Sequence, residues 1–155
     1  MYLKTITAAL LLAASALPAA ATARIYCAAS DPAAKMSIES AFAARDGKRL
    51  VHFRGIVDLM SDKAPDAFAS LKLNSGMLRQ SWMDGDELRL RIYTDNRDAR
   101  PFQTFELSIA THASADNRDR FTGRYTLTVE SADEKRAAPR DIILSHEAAI
   151  FCEVK

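Results

Sequence analysis

From residue 25 onward, apolar and polar side chains alternate with a period of two, and no stretch keeps helical spacing for more than a turn or two. That alternation limits the chain to folds built from half-buried strands, because a pleated backbone sends successive side chains to opposite faces. It is cleanest at 121–130, where Phe121, Gly123, Tyr125, Leu127 and Val129 alternate with Thr122, Arg124, Thr126, Thr128 and Glu130. Further inward rows are Ile25, Cys27 and Ala29; Met36, Ile38, Ser40 and Phe42; Val51, Phe53, Val57 and Leu59; Phe105, Leu107 and Ile109; and Leu144, His146, Ala148, Ile150 and Cys152. Asp31-Pro32, Asp46-Gly47, Pro65 and Pro101 punctuate them as turns or loops, with a helical turn after Pro65 and a surface loop over 131–141. Gly55, inside a strand pattern, marks a bulge or a close backbone approach. The expected fold is all-β, a single-domain antiparallel β-sandwich or closed β-barrel of about 8–9 strands.

Residues 77–93 read as a hairpin at the centre of this pattern. Leu88, Leu90 and Ile92 alternate with Glu87, Arg89 and Arg91, while Leu78, Gln80 and Trp82 alternate with Arg79, Ser81 and Met83. A two-residue Asp84-Gly85 loop would set Trp82 on the charged side. A three-residue loop, with Gly85 in the left-handed conformation, places Trp82 and Leu78 inward with Leu88, Leu90 and Ile92. On that register Arg79, Arg89 and Arg91 share the opposite face.

Residues 1–23 carry Lys4, an apolar run from Ile6 to Leu17 and a small-residue site at Ala21-Thr22-Ala23, the pattern of a secretory signal peptide. The run is shorter than the ~20 apolar residues of a transmembrane helix. The domain division is therefore a signal peptide at 1–23 and one β domain at 24–155, with no integral membrane segment after cleavage and a periplasmic or secreted location. Only Lys4 of the 21 basic residues lies in 1–23, so 20 basic residues face 20 acidic ones in the remainder. A nucleic-acid binder needs a clear positive excess, so that class is set aside. The two cysteines, Cys27 and Cys152, sit at opposite ends of the β domain, and in an oxidising compartment they are expected to form a disulfide between its N- and C-terminal strands.

The familiar catalytic patterns are missing from the chain: there is no Gly-x-Ser-x-Gly elbow, no His-Glu-x-x-His, no phosphate-cradling glycine loop and no Cys/His zinc spacing. His146, of inward parity beside Glu147, reads as a satisfied core or edge residue, with a buried base as the alternative. Asp84, Asp86 and Glu87 read as a solvated hairpin tip. Neither a metal nor a cofactor is expected. The most specific feature is the trio Arg79, Arg89 and Arg91, since guanidiniums across a hairpin repel unless carboxylates or an acidic partner answer them. Asp58, Glu106 or Glu130 could supply the carboxylates.

Ser75-Gly76 followed by Trp82-x-x-Gly85-Asp86-Glu87 resembles the Ser-Gly and Trp-x-Lys-Gly-x-Glu elements of the membrane-bound or periplasmic C-type lysozyme inhibitors. Those are small secreted β-barrels whose conserved serine and lysine plug the lysozyme cleft. The resemblance is confined to 75–87, Asp84 stands where the family has its lysine, and the tyrosine expected after Ser-Gly is missing. It implies a binding role with Ser75 as the residue to test. The expected function is thus a secreted or periplasmic, non-enzymatic binding protein. Its partner would be an envelope or secreted protein with an acidic surface, met as inhibitor, immunity factor or complex component. A small-ligand β-barrel carrier and an envelope hydrolase are the alternatives. The large inward residues Phe42, Phe53, Trp82, Phe105, Phe121 and Tyr125 speak for a filled interior over a carrier's cavity.

Overall fold

The computed structural model describes residues 22–98, 100–132 and 140–155. All but the end of the expected signal peptide and most of the 131–141 loop lie outside them. Nine antiparallel strands form one sheet: β1 (Arg24–Ser30), β2 (Ala34–Ala43), β3 (Asp46–Leu59), β4 (Ser70–Asn74), β5 (Leu78–Asp84), β6 (Glu87–Asn96), β7 (Phe102–Ala113), β8 (Arg120–Ala132) and β9 (Asp141–Val154). A single helical turn, α1 (Asp66–Ala69), follows Pro65. Among the described residues no helix is long and apolar enough to cross a membrane.

The strand order is β4-β3-β2-β1-β9-β8-β7-β6-β5, so every strand pairs with its neighbour in sequence except β4 with β5. The β1–β9 ladder joins the two ends of the chain, and Cys27 lies opposite Cys152 within it, bonded by sulfur as expected. The sheet is an up-and-down meander that stops one ladder short of a closed barrel. Because all pairings are antiparallel, β4 and β5 run in the same direction, separated only by residues 75–77. They are two halves of one strand position: β4 bonds to the far half of β3, and β5 to β6. The near half of β3 therefore faces β5 without a ladder, bridged by Lys48 Nζ and Asp84 Oδ1 at 3.3 Å.

The inward rows fill the interior. Val57, Ile92, Phe105, Leu107, Tyr125 and Val129 are all 0% exposed. Phe68 of α1 is buried against Phe105, with ring centroids 5.9 Å apart. Gly55 is a close approach, as its pattern suggested: a Cβ there would lie 2.6 Å from the Ser37 carbonyl oxygen. Gly123 is tighter still, at 2.1 Å from the Ala110 oxygen, so these glycines let neighbouring strands cross closely where the sheet coils.

Three expectations about register are corrected. The β2–β3 turn is Ala44-Arg45, with Ala43 opposite Asp46, rather than Asp46-Gly47. Leu50, not Val51, packs against the core, because a bulge in β3 places His52 at φ 55 and shifts parity below Phe53. The β5–β6 loop is the two-residue Gly85-Asp86, pairing Asp84 with Glu87 and Trp82 with Arg89. Gly85 has φ 55 at the first loop position, the place a type II′ turn reserves for glycine. Leu78 still faces Ile92, but a second bulge between Leu78 and Gln80 reverses parity along β5 and turns Trp82 outward.

Candidate functional site

The consequence of that bulge is a mixed aromatic and cationic face on the outside of β5 and β6. Trp82 is 48% exposed, and the Arg89 guanidinium lies 5.5 Å from its ring centroid. Arg79, carried by the bulge, sits 5.8 Å from the Tyr93 ring centroid. These spacings suit cation–π attraction, which holds the long side chains in place without neutralising them.

Carboxylates answer two of the three arginines. Arg91 makes a two-pronged contact to Glu106 on β7, with Nε 3.0 Å from Oε1 and Nη2 2.9 Å from Oε2. Those hydrogen bonds, then the charge of Glu106, raise its pKa. Arg89 pairs with Glu87 at 3.2 Å. Arg79 has no carboxylate partner among the described residues. Two shallow grooves flank Trp82: one of about 430 Å³ lined by Gln80, Arg89, Leu90 and Arg91, the other of about 360 Å³ along the unladdered β3 edge, with Asp46, Lys48 and Arg49. Ser81 and the Trp82 indole line both.

Ser75 lies apart from this surface in its contacts. It occupies the bend between β4 and β5, where its hydroxyl donates to the Phe53 carbonyl oxygen at 3.4 Å. The hairpin-tip carboxylates are each paired with a cation: Asp84 with Lys48, Asp86 with Arg118 and Glu87 with Arg89. Comparison with family models, curated proteins and solved structures finds no match. What the chain does must therefore be argued from its own geometry.

Sequence reasoning did not connect Asp31 with His146 and Tyr125. Asp31, in the β1–β2 turn, accepts hydrogen bonds from the Ala33 and Ala34 amides at 2.9 and 3.1 Å and from the Tyr125 hydroxyl at 2.5 Å. His146 Nε2 lies 3.1 Å from its other side. Burial alone would raise the Asp31 pKa. The Tyr125 hydroxyl, the two amides and the His146 charge outweigh it, and the carboxyl is held below its ordinary value. Burial and then Asp31 push the Tyr125 phenol well above the usual range. The only signal in the sequence was the inward parity of Tyr125 and His146. Their shared partner is 94 residues from Tyr125, which no local pattern reports. With its oxygens occupied and a fully buried tyrosine beside it, Asp31 acts as a brace tying the β1–β2 turn to β8 and β9.

Proposed function

We propose that the protein is exported and works by binding an acidic surface of another envelope or secreted protein, using the outer face of β5–β6. The observation that carries this is Trp82, half exposed on an edge ribbon beside Arg89 and Arg91, with Arg79 over Tyr93 farther along the same ribbon. Tryptophan, tyrosine and arginine are the residues that dominate binding energy at protein interfaces. Arg79 supplies a charge that no carboxylate among the described residues claims. Export is supported by the disulfide and by the leader-like pattern of 1–23.

A carrier reading is less well supported, since aromatic and aliphatic side chains fill the interior. A hydrolase reading would begin from His146 and Asp31, where the contacts describe a brace. The test is recovery of a partner from an envelope extract of the source organism by immobilised wild type and by two variants. Arg79→Glu/Arg89→Glu/Arg91→Glu reverses the face but also breaks the pairs with Glu87 and Glu106. Arg79→Glu/Trp82→Ala leaves those pairs intact and controls for folding. A partner retained by wild type and lost at least tenfold with both variants is the expected result; equal recoveries remove this face from consideration.

A further inference from the structure

β3 and β5 meet as a wedge. At its apex the β3–β4 ladder ends with Arg54 opposite Asn74, and the Ser75 hydroxyl reaches the Phe53 carbonyl oxygen at 3.4 Å. At its mouth the strands are joined by side chains: Gly47, Lys48 and Arg49 have no counterpart on β2, bulge from that ladder and carry Lys48 to Asp84. Between apex and mouth lies the groove of about 360 Å³, with Asp46, Lys48 and Arg49 on one wall and Ser81, Trp82, Met83 and Asp84 on the other.

The groove is rich in hydrogen-bond donors. On β6, Tyr93 turns its amide to the β5 side and Asp86 turns its carbonyl to β7, so the residues of β5 that bond to β6 are Gln80, Trp82 and Asp84. Ser81 and Met83 alternate with them and direct their N–H and C=O groups into the wedge. Ser81 has inward parity opposite Leu90 yet is exposed, because β3 stands away from it here. Its hydroxyl, the Trp82 indole N–H and the Arg49 guanidinium have no hydrogen-bond partner among the described residues. Of the two carboxylates at the groove, Asp46 accepts from the Lys48 amide at 3.2 Å, and Asp84 faces Lys48 Nζ at 3.3 Å. The second contact joins side chains that are 67% and 64% exposed, so it contributes little and exchanges readily.

We infer that this wedge seats a carboxylate side chain of the acidic partner, with Arg49 as its principal cation and Asp84 as the internal competitor for Lys48. The inference rests on the docking reading above and extends that surface across the seam onto β3. Charge complementarity chooses the occupant. Arg89 and Arg91 are already answered by Glu87 and Glu106, whereas Arg49 has no carboxylate among the described residues, and an incoming one finds further donors in the Ser81 hydroxyl and the indole N–H. Lys48, released from Asp84, becomes a second cation beside it. Because the wedge narrows to a hydrogen bond at Ser75, it takes a side chain rather than a whole strand.

Blocked hexaglutamate is the probe, titrated into the protein at constant ionic strength with Trp82 fluorescence as the readout, since that indole lines the groove. Blocked hexaglutamine is the neutral control. Wild type should bind hexaglutamate saturably and hexaglutamine not at all. Arg49→Gln should bind about tenfold more weakly, the loss of a charged hydrogen bond. Asp84→Asn should bind about threefold more tightly, the loss of an exposed competing pair. Asp62→Asn removes the same charge from an exposed position beyond the other end of β3 and should bind as wild type does, which separates a local competitor from net charge. Matching melting temperatures verify that the variants fold. No saturable binding in wild type, or equal affinity in Arg49→Gln, overturns the seat. Asp84→Asn binding no more tightly than Asp62→Asn overturns Asp84 as the competitor. A partner from the envelope extract that is lost with Arg79→Glu/Trp82→Ala but kept with Arg49→Gln leaves the docking reading standing and removes the seat alone.

Discussion

Replacing Cys27 and Cys152 together by alanine is expected to lower stability by about 4–5 kcal/mol, the chain-entropy value for so long a closed loop. The sulfurs join residues 125 apart, nearly the whole β domain. They do so inside the β1–β9 ladder, which holds only the four pairs from Ile25–Val154 to Ala28–Phe151. Every other junction in the sheet links strands adjacent in sequence, so this ladder alone must be found across the full chain, and loop closure opposes it most. Both cysteines are also core residues, at 2% and 0% exposure, and alanine leaves a void where they packed. The melting temperature should fall by roughly 15 °C, on the scale of a few degrees per kcal/mol for a domain of this size. Wild type measured in strong reductant should fall by a similar amount. A loss under about 5 °C would mean that the β1–β9 junction holds without its bond.

Asp31→Ala is expected to cost about 3 kcal/mol, because it leaves the buried Tyr125 hydroxyl without an acceptor and removes two amide caps from the β1–β2 turn. Tyr125→Phe should cost about 1 kcal/mol, since Asp31 keeps its other partners. The double variant Asp31→Ala/Tyr125→Phe should lose less than the two single losses together, as residues sharing one hydrogen bond are not additive. The pH dependence follows from the depressed carboxyl. A group whose folded pKa lies below its unfolded value of about 3.9 adds stability that is fully present above that value and disappears as pH falls through the folded one. Urea midpoints measured from pH 7 to pH 2 should therefore drop below about pH 4 in wild type, and drop less in Asp31→Asn. Parallel acid profiles for the two proteins would show that Asp31 is not braced as described.

How far the molecule could be read from residue order depended on where its strands are regular. β1 alternates strictly, as do β7 from Phe105, β8 up to Val129 and β9 from Leu144, so Ile25, Cys27, Leu107, Tyr125 and Cys152 stand where a period of two puts them. The misplacements at Val51 and Trp82 share one cause. Each lies beyond a bulge, and one extra residue moves every later side chain of that strand to the other face. Gly85 marked a tight turn, but the two expected loops, Asp84-Gly85 and Met83–Gly85, both end on it, whereas the glycine opens the observed Gly85-Asp86 loop. For the candidate site, the arginines were legible as a trio and Glu106 as one of their counterions, whereas the indole's membership was not. Ser75 came from a short resemblance, and its contact to Phe53 ties it to the β4–β5 bend rather than to the arginines.

Trp82 is the chain's one tryptophan, so its fluorescence reports on this surface alone. Quenching by iodide and by caesium tests the account most directly. An indole on the outer face beside Arg89 should emit as a water-exposed ring and be quenched readily by iodide, which the guanidiniums draw in, and much less by caesium, which they repel. Blue-shifted emission insensitive to both ions would place that ring in the interior and contradict the docking face.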